Sequence, residues 1–121
     1  MSASTLDLVA DQGGLFPLRL GYSDDQGLLI DLSTDYTVQF VLRESIDAQT
    51  DIELLTQADG EITLSDGLDG FNIDIVIGKT KTAAWPVLRS GKYEVRLWPT
   101  ATPEEVEILL KGNMEIRKGL L

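Results

Sequence analysis
Apolar and polar residues alternate with a period of two along most of the chain, and a helical period is nearly absent. Phe16, Leu18, Leu20 and Tyr22 share one phase, and "SDDQG" follows as a turn built on Asp and Gly. "LLID" reads as a short strand. From Tyr36, residues Val38, Phe40 and Leu42 face one way while Thr37, Gln39 and Arg43 face the other. Ile52 and Leu54 form a short piece, and "ADG" turns the chain into Ile62 and Leu64. "SDGLDG" leads into Phe71, Ile73, Ile75 and Ile77. Tyr93, Val95 and Leu97 follow, then Val106, Ile108 and Leu110, with the phase continuing through Met114 and Ile116. Gly112 interrupts that last run, and a Gly within a strand marks a bulge or bend. Only "IGKTKTAAWPVLRSG" breaks the pattern. It has room for one helical turn over 79–84, and Pro86 restricts Trp85 so that no long helix fits.

Seven to eight short strands separated by turn signals predict an all-β, antiparallel β-sandwich. "RSGKYEVRL" sharpens this expectation. It places Tyr93 two residues after Gly91 at the head of an alternating strand, the pattern of a tyrosine corner, in which the hydroxyl bonds back to backbone upstream. The fold class expected is therefore an immunoglobulin-like antiparallel β-sandwich. No linker or repeat divides the chain, so one domain over 1–121 is expected, with 1–11 as an extended N-terminal arm. The expected core is Phe16, Leu18, Leu20, Val38, Phe40, Leu42, Phe71, Ile73, Ile75, Tyr93, Val95, Leu97, Val106, Ile108 and Leu110, the apolar side of each strand.

Composition removes much chemistry from consideration. The 121 residues include no Cys and no His, which excludes disulfides, thiolate metal sites and His-based catalytic triads. No P-loop, dinucleotide fingerprint or EF-hand loop is present. Asp24-Asp25, and Asp66 with Asp69, lie in Gly-containing turns, where Asp is favoured for backbone reasons rather than for calcium. The expectation is a non-enzymatic protein with no catalytic residues, no cofactor and no metal. A net charge of −10 argues against nucleic acid. No apolar run reaches the length of a membrane span, and the start of the chain lacks the basic and apolar regions of a secretory signal, so a soluble product of the cytoplasm is expected.

The order of segments resembles a family of small immunoglobulin-like β-sandwich modules of tailed bacteriophages, found in baseplate and tail-fibre proteins and as head- or tail-associated proteins. Ile30, Asp31, Leu32, Ser33 and Thr34 match that family's link, and Val38, Phe40, Leu42 and Arg43 match the strand after it. Leu88, Gly91 and Tyr93 match a later segment without its Pro, and Leu109, Leu110, Gly112 and Met114 match the closing one. "LSTD" lacks the usual Gly of the link. The resemblance implies a virion structural protein assembled in the host cytoplasm, in head decoration, head–tail joining, tail or baseplate, with other virion proteins as partners and homo-oligomeric or symmetric assembly. It supplies no catalytic residue. The alternative is a sandwich module that binds a small ligand or a host-surface glycan.

A contact surface is expected at Trp98, which is out of phase with Tyr93, Val95 and Leu97, together with the out-of-phase Val41, Val76 and Leu109. Charge is uneven along the chain. Residues 1–78 hold 15 acids and two bases, and residues 79–121 hold eight bases and five acids, an asymmetry that orients partners.

Overall fold
A computed structural model describes residues 4–119. The strands are β1 (Ser4–Thr5), β2 (Leu8–Asp11), β3 (Phe16–Leu20), β4 (Tyr36–Arg43), β5 (Glu53–Thr56), β6 (Ile62–Leu64), β7 (Ile73–Ile77), β8 (Leu88–Pro99) and β9 (Glu107–Arg117). One short helix, α1 (Lys79–Ala83), and a 3-10 turn at Gln57–Asp59 complete the secondary structure.

Two sheets form the sandwich. The larger runs β1-β9-β8-β4-β5, with β2 also on β9, and the smaller runs β3-β7-β6. Every pairing is antiparallel except those of β1 and β2, which lie parallel to β9. In immunoglobulin lettering β3 to β9 are strands B, C, C′, D, E, F and G, and the two sheets are G-F-C-C′ and B-E-D, a variable-type immunoglobulin arrangement. The single helix falls in the E–F connection. Residues 4–11 of the expected arm run extended along β9 as an edge strand; residues 1–3 lie outside the described residues.

The core sits between the sheets, filled by the inward phase of each strand. Val38, Phe40, Leu42, Ile73, Ile75 and Val95 are completely buried. Four aromatic rings link end to end across it: Trp85 to Phe16 at 6.3 Å, Phe16 to Phe40 at 6.4 Å and Phe40 to Tyr93 at 6.2 Å. With no disulfide available, this aromatic ladder joins the small sheet to the large one. Trp85 enters because Pro86 stops the chain after α1 and the indole turns inward, where its N–H donates to Glu53 at 3.0 Å.

Several expectations need correction. "LLID" makes only one bridge, Ser23 to Leu29, and is part of a loop over 21–35. That loop is held by Asn72, which is fully buried. Its amide donates to the carbonyls of Tyr22 and Ile30 at 2.8 Å each, and its oxygen accepts the Tyr22 N–H at 2.8 Å. Phe71 correspondingly lies at the rim, with the Arg19 guanidinium 4.5 Å over its ring. At β5 the buried residue is Leu55, and Leu54 faces out.

Tyr93 forms no corner of the expected kind. Its hydroxyl donates to the carbonyl of Leu6 at 2.5 Å, 87 residues away. The bond ties the break between β1 and β2 to the centre of the large sheet. Gly112 makes the approach possible, because a Cβ there would stand 2.2 Å from the Leu6 oxygen.

The last correction concerns β9. Val95 pairs with Leu110 but Arg96 pairs with Ile108, so a bulge at Leu109 shifts the phase. Leu110, Met114 and Ile116 remain buried, while Ile108 is turned out of the core and Val106 is 49% exposed.

Candidate contact face on the large sheet
The outward phase of the large sheet builds the most distinctive surface of the molecule. Register places Arg43 opposite Lys92, Val41 opposite Glu94, Gln39 opposite Arg96 and Thr37 opposite Trp98. On the other side of β8, Lys92 faces Asn113 and Glu94 faces Lys111. Four of the chain's ten cations, Arg43, Lys92, Arg96 and Lys111, thereby line one concave groove of about 330 Å³. The groove is closed at one side by Asp7 and at the foot of β4 by Ile46, which is 78% exposed.

Local bonds hold these side chains in place. Arg96 donates to Glu94 at 2.8 Å and to Gln39 at 3.3 Å, and Arg43 pairs with Asp51 at 2.5 Å. Lys92 donates to the Asn113 side-chain oxygen. Such half-exposed ion pairs add little stability and serve mainly to orient charge.

Further along the same face, toward the connection between β8 and β9, the surface becomes apolar. Trp98, Pro103, Val106 and Ile108 surround a second, more open depression, with Arg96 at the boundary between the two. The bulge at Leu109 creates this half, since without it Ile108 would point into the core.

The four residues expected to form one contact surface are therefore dispersed. Trp98 lies on the outer face, half-buried among these apolar neighbours. Val41 shares that face but is only 4% exposed, because the longer side chains around it close over a position central in the sheet. Val76, 37% exposed, is on the small sheet and so on the opposite side of the sandwich. Leu109 is turned inward by the bulge and packs against the core. Sequence reasoning missed Lys92, Lys111, Val106 and Ile108. Lys92 and Lys111 could have been found by writing out the polar phase of the long strands beside the apolar one.

No family model matches the sequence, and no curated protein matches it. Among solved structures the chain is similar to the extracellular domain of the voltage-gated sodium channel β4 subunit, whose parallel homodimers are described as explaining its role in cell–cell adhesion. The identity is 12% and the TM-score 0.48, over 99% of this chain and 97% of that one.

Charge is organised by position in the fold rather than by position in the sequence. The loops over 21–35, 65–72 and 100–106 all lie at one end of the sandwich. They carry Asp24, Asp25, Asp31, Asp35, Asp66, Asp69, Glu104 and Glu105, and no base. The turn reading of the Asp pairs is visible directly. Asp24 accepts the backbone N–H groups of Gln26 and Leu28 at 2.9 and 3.0 Å, and Asp66 accepts that of Leu68 at 3.0 Å. Among the described residues no three Asp or Glu side chains gather where they could hold a metal ion.

Two tyrosines respond to these surroundings. Burial, then the hydrogen bond and charge of Glu107, push the Tyr22 hydroxyl up to about 12. Burial, then the charge of Asp7, push Tyr93 up to about 12 as well. Both shifts favour the neutral phenol and neither activates it as a nucleophile. What this arrangement can do chemically is present shape, apolar area and sign-separated charge to a partner.

Proposed function
We propose that the protein is a non-enzymatic structural component of a tailed-phage particle, working through protein–protein contacts made by the outer face of its large sheet. The observation that carries the contact reading is the juxtaposition of Trp98, Pro103, Val106 and Ile108 with the cationic groove on one continuous face. Trp is enriched at interface hot spots because it buries a large area at small entropic cost. The phage assignment is supported by the ordered segment resemblance over most of the chain. Mass spectrometry of purified particles tests it: the chain is expected at a fixed, repeated copy number, and absence from particles that contain the major capsid and tail proteins overturns it. The alternative, a module for a small ligand or a host-surface glycan, is favoured by the 330 Å³ groove, a volume in the range of ligand pockets. Glycan-array binding lost on Lys92→Glu would support that alternative.

A further inference from the structure
We propose that the outer face of the large sheet mates with the same face of a second copy, strands antiparallel, around a twofold axis passing near Glu94 and Arg96. The inference rests on reading this face as a contact surface, and deepens it by naming the partner and its orientation.

The face is divided along its strands into two unlike halves. At the foot of β8 stand Lys92 and Arg43, the latter paired with Asp51, and Lys111 stands nearer the middle, level with Glu94. At its head stand Trp98, Val106 and Ile108, and the loop that carries Pro103 and Val106 also carries the exposed acids Glu104 and Glu105. Between the halves, Glu94 and Arg96 bond to each other.

An antiparallel arrangement sets each cationic half against the other copy's acidic rim, twice per dimer. It also lays the aliphatic stems of Lys92 and Lys111 over the apolar residues of the opposite head. A parallel arrangement would oppose cations to cations and acids to acids, which is unfavourable on both halves. With a net charge of −10 per copy, two chains repel over most of their surface, and this face is where four cations gather. A self-complementary patch closes on itself as a twofold dimer and leaves no open end.

Size sets the expected strength. The sheet is five strands wide, about 24 Å at about 4.8 Å per strand, and the span from Lys92 to Trp98 is about 20 Å at about 3.3 Å per residue. That is of the order of 500 Å² per copy before side-chain relief, at the lower end of specific interfaces, so association in the micromolar range is expected.

The test is sedimentation velocity at physiological salt, where a screening length of about 8 Å leaves contacting charges to decide the outcome. Three samples are compared: a Lys92→Glu, Lys111→Glu chain, a Glu104→Lys, Glu105→Lys chain, and their equimolar mixture. Each variant alone is expected to be monomeric up to about tenfold higher concentration than the parent chain. The mixture is expected to recover a heterodimer, because both contacts are again of opposite sign. Unchanged melting of both variants excludes misfolding as the cause.

Dimerisation of either variant with parental affinity overturns the proposal, as does a mixture that stays monomeric. Species that grow beyond the dimer overturn it in favour of head-to-tail contacts. A parent chain that is monomeric throughout also overturns the pairing. If Trp98→Ala then still reduces incorporation into particles, the face remains a contact surface for another protein, so the two readings fail separately.

Discussion

The two outer faces of this sandwich are built by the same alternation and end up as opposite kinds of surface. On the small sheet the outward residues are Pro17, Arg19, Thr63, Asp74 and Val76. They are few, and they close on one another. Arg19 lies over Phe71 and 3.5 Å from Asp74, and Pro17 removes a backbone donor from a strand that pairs only with β7. On the large sheet the outward positions extend over five strands, with cations gathered at one end and an unpartnered Trp among apolar residues at the other. In an all-β chain whose sequence carries no catalytic motif, function is to be sought on a face of the second kind. The informative residues are the outward phase of the longest strands, because only there can separate segments assemble an extended surface.

Removing the support beneath the large face has the largest expected effect. Phe40 is completely buried on β4 and joins Phe16 to Tyr93. Phe40→Ala is expected to cost about 3–5 kcal/mol in urea denaturation, and a cost below about 1 kcal/mol would show that the aromatic ladder does not hold the sheets together.

On the small-sheet side, Asn72→Ala leaves the Tyr22 N–H and the carbonyls of Tyr22 and Ile30 without their partner. A loss of about 2–4 kcal/mol is expected, with faster amide exchange in residues 21–35 than in β8. Equal acceleration of both regions would mean that the loop and the large sheet open as one unit.

Smaller effects sharpen the account of the large sheet. Tyr93→Phe removes the bond to Leu6 and is expected to cost about 1 kcal/mol, seen chiefly as faster exchange in residues 8–11. The raised tyrosines give this a pH signature. A phenol whose folded value lies above its unfolded one binds its proton more tightly in the native state. Its stabilisation is complete below about 10 and is lost as pH rises toward about 12. Denaturant midpoints are therefore expected to fall over that window, less steeply in Tyr93→Phe. A midpoint flat to pH 12 contradicts the assignment. The smallest effect is expected on the other face, where Val76→Ser changes stability by about 0.5 kcal/mol or less and leaves self-association unchanged.

Most of the architecture was legible because it is carried by local alternation. The strands around Phe40, Ile75 and Val95 follow from a period of two that needs no knowledge of the rest of the chain. What was not legible depends on partners distant in sequence. Tyr93 has the spacing of a corner residue, yet its hydroxyl finds Leu6 because Gly112 lets the N-terminal strand approach. Ile108, Leu109 and Leu110 are three apolar residues in a row, so either phase satisfies the pattern. The bulge opposite Val95 and Arg96 decides it, and with it the identity of the exposed residues. The cationic groove was hidden for the same reason. Arg43, Lys92 and Lys111 belong to three strands, and only the register brings them together.

Antiparallel mating of the large face with its own copy fixes a distance that can be measured. The chain has no Cys, so a single spin label at Ala101→Cys, exposed in the same head loop and outside the charged contact, is free of background. Pulsed dipolar spectroscopy on that singly labelled chain, at concentrations where it is dimeric, reports the separation of the two identical sites. About 13 Å of strand separates the axis, between Glu94 and Arg96, from Pro99 at the head of β8, and the labelled loop lies beyond it, so the labels are expected about 26 Å apart or more. Labels closer than about 20 Å would mean parallel mating or contact through the acidic end, and either result contradicts the account.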